Sequence, residues 1–104
     1  ANVVMNKLNE LKEKYNNSDC TVLTGDLNEP QDGTAYKLVA SKLNDCTNRA
    51  KKTATYQEWG YRFTGNEPID FIFTDGKAVD YTVLNDLNNG YVSDHYGVYS
   101  GINF

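Results

Sequence analysis

The fold is decided by the stretch IDFIFT at residues 69–74. Apolar residues occupy both odd and even positions of this run, and the following pair, Asp75-Gly76, is typical of a tight turn. The run predicts a strand, and residues 79–84 predict its antiparallel hairpin partner. One carboxylate, Asp70, stands second in the run, where burial without a partner would cost on the order of a few kcal/mol. We therefore expect Asp70 to pair with a polar side chain or to cap the strand by accepting backbone N–H groups.

Length and composition favour one small domain. A chain of 104 residues is long enough for a core of its own, and a hydrophobic fraction of 39% makes that core small for its length. The net charge of −4 provides no overall basic surface for sequence-independent binding of duplex nucleic acid, so phosphate binding must be local. No apolar run approaches the ~20 residues that a membrane span requires.

The sequence before residue 69 predicts two helices separated by a strand. Apolar residues spaced by three and four positions, with charged residues opposite, predict a first amphipathic helix. Residues 21–24 form a short run rich in β-branched side chains, which predicts a buried strand ending at Gly25. Residues 32–34 have the chemistry of a helix cap and predict a second helix. The apolar positions are Val4, Met5, Leu8, Leu11 and Tyr15 in the first helix and Ala35, Leu38, Val39 and Leu43 in the second.

The sequence between the second helix and residue 69 is harder to interpret than the end of the chain. Residues 53–56 and 60–63 are possible strand pieces within a polar segment. From Val98 to Phe104 two sets of side chains alternate, which predicts one last strand that runs to the end of the sequence. Cys20 and Cys46 are either joined in a disulfide or present as two free thiols, and their spacing does not distinguish these alternatives.

The stretch GDLN at residues 25–28 lies where the first predicted strand meets a loop, a common location for functional groups. Asp26 and Asn28 are two residues apart, so on an extended backbone their side chains would point the same way. Both could then meet one phosphate or one metal-bound water. The alternative is an ordinary turn, because Gly, Asp and Asn are all turn formers.

The stretch SDH at residues 93–95 precedes the last predicted strand and contains the only histidine. Imidazole titrates near neutral pH, which suits His95 to proton transfer or to stabilising negative charge on a phosphoryl oxygen. A solvated loop histidine is the alternative. If His95 is the partner of Asp70, the carboxylate would fix the tautomer and orientation of the ring, as the aspartate does in Ser-His-Asp hydrolases.

In this order, GDLN, IDFIF and SDH resemble the closing half of the endonuclease/exonuclease/phosphatase superfamily, whose fold is that of pancreatic deoxyribonuclease. The resemblance implies an α/β (α+β) fold, half of a four-layer α/β/β/α sandwich, with one mixed, mostly antiparallel sheet and helices on one face. It also implies that residues 1–104 are a single unit, the C-terminal portion of such a domain, with the N-terminal half absent. A chain that starts at Ala1 without an initiator Met agrees with that expectation.

The resemblance further implies metal-dependent hydrolysis of phosphodiester or phosphomonoester bonds. Asp26 and Asn28 match the residues that position the attacking water, Asp70 matches the residue that orients His95, and Asp94 matches a metal-side aspartate. The implied metal is Mg²⁺ or Mn²⁺, with Asp94, Asp26 and Asn28 as ligands. It would be held weakly, because the principal glutamate ligand of the family lies upstream of this region.

The implied partners follow from the same resemblance. The substrate is a phosphate ester, and the sequence does not distinguish nucleic acid, phospholipid and inositol phosphate. The missing N-terminal half is a second expected partner. Self-association is a third, because helices on one side leave the other face of the sheet uncovered. The alternative function is therefore a catalytically incomplete half domain that acts as an interaction or assembly fragment.

Overall fold

The computed structural model describes residues 2–14, 20–49, 52–60, 66–86 and 90–104. These residues form a small α+β domain with two α-helices, several short antiparallel sheets and two 3₁₀ turns. None of their helices has the length and apolar character needed to cross a membrane. The elements are α1 (Asn2–Lys14), β1 (Val22–Asp26), α2 (Thr34–Ala40), β2 (Asn44–Asp45), β3 (Asp70–Thr74), β4 (Lys77–Ala78), β5 (Thr82–Leu84), β6 (Gly97–Tyr99) and β7 (Ile102–Asn103), with 3₁₀ turns at Cys46–Arg49 and Glu58–Gly60.

β3 is the central strand of the main sheet, which has the order β1-β3-β2 with both pairings antiparallel. The register sets Asp26 of β1 directly opposite Asp70 of β3. Successive side chains of a strand point to opposite faces, so Phe71 and Phe73 lie on one face while Asp70 and Ile72 lie on the other. The two faces of β3 therefore contact different parts of the protein.

The face with Phe71 and Phe73 packs against the two helices. The ring of Tyr36 from α2 lies 5.0 Å from that of Phe71 and 5.6 Å from that of Phe73, measured between centroids. Phe71 is 1% exposed, which makes it one of the most deeply buried side chains of the cluster. The buried members of this core are Met5, Tyr36, Val39, Leu43, Phe71 and Phe73.

The opposite face of β3 packs against the C-terminal part of the chain. Ile72 clusters there with Cys46, Ala78 and Tyr81. In the described part of the chain, β4 pairs with β7 and β5 with β6, and every strand pairing is antiparallel. The expected single mixed sheet with a bare face is therefore not what the described residues form: their strands make three small antiparallel sheets, and the C-terminal strands cover Ile72.

The predicted hairpin between residues 69–74 and 79–84 does not form. β3 already has β1 and β2 as neighbours, and the chain after the turn pairs with β6 and β7 instead. The carboxylate of Asp75 accepts the amide of Thr21 at 2.9 Å, which ties the turn to the residue before β1. The local turn signal is real, but strands distant in sequence compete more effectively for β3.

The first helix and the first strand are less buried than predicted. In α1 the buried residue is Met5, whereas Val4 is 46% and Leu11 is 39% exposed. Tyr15 lies outside the described residues. β1 is an edge strand rather than a buried one, with Val22 50% exposed, because β3 is its only partner in the described sheet.

The second helix is capped by a side chain that the sequence did not single out. Glu29 Oε1 accepts the amide of Tyr36 at 2.8 Å, in the first turn of α2. A Cβ on Gly33 would overlap the side chain of Glu29, so glycine at this position leaves room for the capping carboxylate. Leu43 is buried as expected, although α2 ends before it.

The predicted last strand is divided into β6 and β7. Asp80 lies at the break, where its Oδ1 accepts the amide of Gly101 and its carbonyl accepts the hydroxyl of Ser100. These bonds hold Ser100 and Gly101, the two residues between the short strands, against Asp80. Cys20 is exposed and Cys46 is fully buried, and both are free thiols.

Phe71→Ala should reduce the free energy of unfolding by about 3–5 kcal/mol, because it leaves a cavity beneath both helices. Urea unfolding followed by circular dichroism measures the loss. Val92→Ala is the matched control, since Val92 is 93% exposed and its truncation should change stability by less than about 0.5 kcal/mol. Equal unfolding midpoints for Phe71→Ala and the wild type would contradict this core assignment.

Candidate functional site

The ends of β1 and β3 bring two carboxylates together. Asp26 lies directly opposite Asp70, and the amide of Leu27 donates to the carbonyl of Ile69 at 2.8 Å. That bond makes Asp26–Asp70 a non-hydrogen-bonded pair, the type with Cα atoms only about 4.5 Å apart. Like charges in this arrangement repel each other, so a positive group beside them stabilises the strand pairing.

His95 provides that positive group. Its Nδ1 lies 2.7 Å from Asp70 Oδ2, while its Nε2 lies 3.8 Å from Asp26 Oδ2 and 3.9 Å from Asp94 Oδ1. An ionised carboxylate can only accept, so Nδ1 has the hydrogen and donates it to Asp70. Nε2 faces the other two carboxylates at distances too long for direct hydrogen bonds, which leaves room for an intervening oxygen.

The surrounding carboxylates raise the pKa of His95 above its usual value of 6.5. The hydrogen bond to Asp70 is the largest cause, and the charges of Asp70, Asp26 and Asp94 act in the same direction. Partial burial acts in the opposite direction and is outweighed. The imidazole therefore stays protonated to a higher pH in the folded chain than in the unfolded one.

Residues 55–57 anchor the loop that contains Asp94 and His95. Tyr56 forms an antiparallel bridge with His95, and its ring stands edge-on to the imidazole with 5.0 Å between centroids. The amide of Gln57 donates to the carbonyl of Asp94 at 2.9 Å. The sequence predicted only a possible strand piece at residues 53–56, and no pattern in it revealed this role.

The structure groups four of the five predicted site residues. Ligand atoms of Asp26, Asp70 and His95 all lie within 4.8 Å of one another, the only such group of acidic, histidine or cysteine side chains in the described part of the chain. The carboxylate of Asp94 lies beside the same imidazole. The group of three thus contains Asp70 and His95, and neither residue was among the predicted metal ligands, which were Asp94, Asp26 and Asn28.

Asn28 has a different position from the one predicted. β1 ends at Asp26, and Asn28 adopts a left-handed backbone with φ of 53°, so the two side chains do not extend from one straight strand. The amide of Asn28 donates to Asp26 Oδ1 at 2.7 Å, which makes Asp26 the cap of the turn. Asn28 itself is exposed beside the cluster.

A cleft of about 390 Å³ lies next to these carboxylates. The ends of β1 and β3, including Asp26 and Asp70, line one side of it, and residues 96–98 line the other. Its volume lies within the range usual for small-molecule sites, about 300–1,000 Å³. The cluster is thus accessible to a ligand rather than enclosed in the core.

Comparisons with known proteins add no relative. No family model matches the sequence, no curated protein matches it, and no solved structure matches the fold. The resemblance described above therefore rests on the three motifs alone.

Asp70→Asn should lower the pKa of His95 toward 6.5, because it removes the largest cause of the elevation. Proton NMR titration of the imidazole measures this directly. In the wild type, the stabilisation from the pair is fully present below pH 6.5 and is lost as pH rises through the raised folded pKa. The free energy of unfolding should therefore fall with rising pH in that window, and fall less in Asp70→Asn.

Asp94→Asn serves as the control for that titration. Its carboxylate lies 3.9 Å from Nε2 and is the last of the causes that raise the pKa of His95, so the variant should change this pKa less. An imidazole titration that is the same in Asp70→Asn and the wild type would rule out the pairing.

Proposed function

We propose that this domain hydrolyses phosphate esters, either phosphodiesters or phosphomonoesters, with the help of a divalent cation. The observation that supports this most is the orientation of His95. Asp70 holds Nδ1 at 2.7 Å, and Nε2 is left facing Asp26 and Asp94 across a gap. An oriented imidazole with one free nitrogen beside carboxylates suits proton transfer at a reacting oxygen.

The charge of the cluster favours a cation as part of the site. Three carboxylates surround one imidazole, so the cluster is negative even when His95 is protonated. The ion pairs that the described residues make here contain no lysine or arginine. A phosphate ester is also an anion and would be repelled unless a cation screened the carboxylates.

The donor set fits Mg²⁺ or Mn²⁺, which prefer carboxylate oxygen. Asp26 would hold the ion together with Asp94, whose carboxylate lies beside the same imidazole but outside the group of ligand atoms that lie within 4.8 Å of one another. The resemblance implies Asn28 as a third ligand, through its amide oxygen. So few protein ligands give weak binding. When bound, the ion would supply Lewis-acid polarisation of the phosphate oxygens.

The side chains of the chain itself would have separate roles. Asp26 would position the attacking water, since its Oδ2 is the carboxylate oxygen that faces Nε2. His95 would donate the proton on Nε2 to a phosphoryl or leaving oxygen, and its raised pKa keeps that proton bound to a higher pH than in a free imidazole. Asp70 would hold the ring and stabilise its positive charge.

Removing either His95 or Asp26 should reduce hydrolysis of bis(4-nitrophenyl) phosphate by about 10²-fold or more, because each loses a group that acts at the reacting centre. The assay uses the full-length gene product and is run with Mg²⁺ or Mn²⁺ and with chelator. Asp32→Asn is the control, since Asp32 is an exposed carboxylate outside the cluster. Wild-type rates in both His95→Ala and Asp26→Ala would overturn the mechanism.

A second candidate function is assembly through the open edge of β1. Thr24 pairs with Ile72 on one side, and the alternation of the ladder turns its own N–H toward the open side. An apolar cleft of about 320 Å³ lies along this edge and includes Val4 and Leu23. An added strand would satisfy the free backbone groups of this edge and widen the sheet by one strand. An antiparallel edge is also self-complementary, so a second copy could supply that strand.

If this assembly occurs, sedimentation velocity should show a concentration-dependent dimer of the 104-residue chain. Thr24→Pro should abolish it, because proline removes the outward N–H without removing a bond to β3. Thr82→Pro, on β5, is the matched substitution at an exposed strand residue remote from this edge. A wild-type chain that remains monomeric at all accessible concentrations would eliminate self-association.

A further inference from the structure

Thr55 is a fully buried residue with a polar side chain at the base of the site. Its exposure is 0%, and its Oγ1 accepts two backbone amides, from Ile69 at 3.0 Å and from Asp70 at 3.1 Å. These two residues form the start of β3. The hydroxyl of Thr55 therefore fixes the backbone of the residue whose carboxylate holds His95.

The backbone of Thr55 fixes the other side of the pair. Its carbonyl accepts the amide of Tyr96 at 2.7 Å, one residue after His95. The next residue, Tyr56, forms the bridge to His95 itself. A single residue thus bonds to the chain at Asp70 and to the chain beside His95.

The sheet leaves this position open for Thr55. β2 consists of only two residues, and they pair with Thr74 and Phe73 at the far end of β3. Near Asp70, the side of β3 away from β1 has no strand partner among the described residues. The oxygen of Thr55 accepts there the amide of Asp70, which would otherwise lack a partner in the ladder.

Such an anchor matters because the Asp70–His95 hydrogen bond joins residues 25 positions apart in sequence. A displacement of about 1 Å between the two backbones would lengthen this bond beyond hydrogen-bonding distance, and comparable displacements can reduce catalysis about 10²-fold. Both backbone segments must therefore be fixed relative to each other, which a residue bonded to both can do. Thr55 contacts both.

We propose that Thr55 is the positioning residue of the Asp70–His95 pair, with its hydroxyl holding Asp70 and its carbonyl holding the His95 loop. Its importance for hydrolysis rests on the proposed function. Its effect on the geometry of the pair does not, and can be measured without any substrate.

Thr74 provides a matched control at the other end of the same strand. It is also 0% exposed, and its Oγ1 donates to the carbonyl of Thr21 at 2.8 Å and accepts the amide of Gly76 at 3.0 Å. Thr74→Val and Thr55→Val each remove one buried hydroxyl with two backbone bonds. The two variants should lose similar stability, but only one of them removes a contact to the site.

The readout is the proton resonance of His95 Nδ1–H, which a short hydrogen bond to a carboxylate shifts downfield. We expect Thr55→Val to lose this signal or to move it upfield. Thr55→Ser, which keeps the hydroxyl, should retain it, and so should Thr74→Val. An unchanged signal in Thr55→Val would overturn the proposal, and so would equal loss of the signal in Thr74→Val.

Two further measurements decide the question if Thr55→Val does not fold. In Thr55→Ser, loss of the signal would assign the effect to the methyl group and overturn the proposal. In the wild type, hydrogen exchange should show the amides of Asp70 and Tyr96 protected to a similar degree, since both donate to Thr55. Rapid exchange of either amide would also overturn it.

The outcome separates this inference from the proposed function. If the signal responds as expected in a protein that never hydrolyses a phosphate ester, the positioning role stands and the proposed function fails. If hydrolysis depends on His95 but the Nδ1–H signal is unchanged in Thr55→Val, the proposed function stands and the positioning role fails.

Discussion

The register that sets Asp26 opposite Asp70 is the constraint on which the site depends. Two carboxylates at the end of one strand pair repel each other, and their repulsion increases as water is excluded. The hydrogen bond from His95 to Asp70 compensates for this repulsion with a positive charge. Because Nδ1 makes that hydrogen bond, Nε2 of the same ring faces Asp26 and Asp94. His95 therefore both offsets the repulsion between the carboxylates and supplies the nitrogen that could transfer a proton.

β3 connects the stability of the domain to the geometry of this cluster. Phe71 packs beneath the helices, and the adjacent residue, Asp70, points to the opposite face. Because a strand alternates its side chains, the buried ring fixes the position of the neighbouring carboxylate. Mobility of the carboxylate is therefore limited by the main core, although Asp70 itself is only half-buried.

The sequence identifies the chemistry of the site better than its supporting framework. Asp26, Asp70 and His95 lie in short motifs whose residue types predict a shared task, and the structure brings them together. The hairpin after β3 was predicted wrongly, because local turn propensity cannot rank strands that compete from distant parts of the chain. Thr55 was not identified, since its importance depends on hydrogen bonds to residues that follow it by 14 and 41 positions. The orientation of Asn28 depends on where β1 ends, and residue types do not determine that boundary to within one residue.

The contrast between the two cysteines provides a natural attachment point for a spectroscopic probe. Burial raises the pKa of the Cys46 thiol, so this residue is both inaccessible and poor in reactive thiolate. Cys20 is exposed two residues before β1. A maleimide dye added to the folded protein would therefore attach at a single location near the sheet edge, without any need to replace the second thiol.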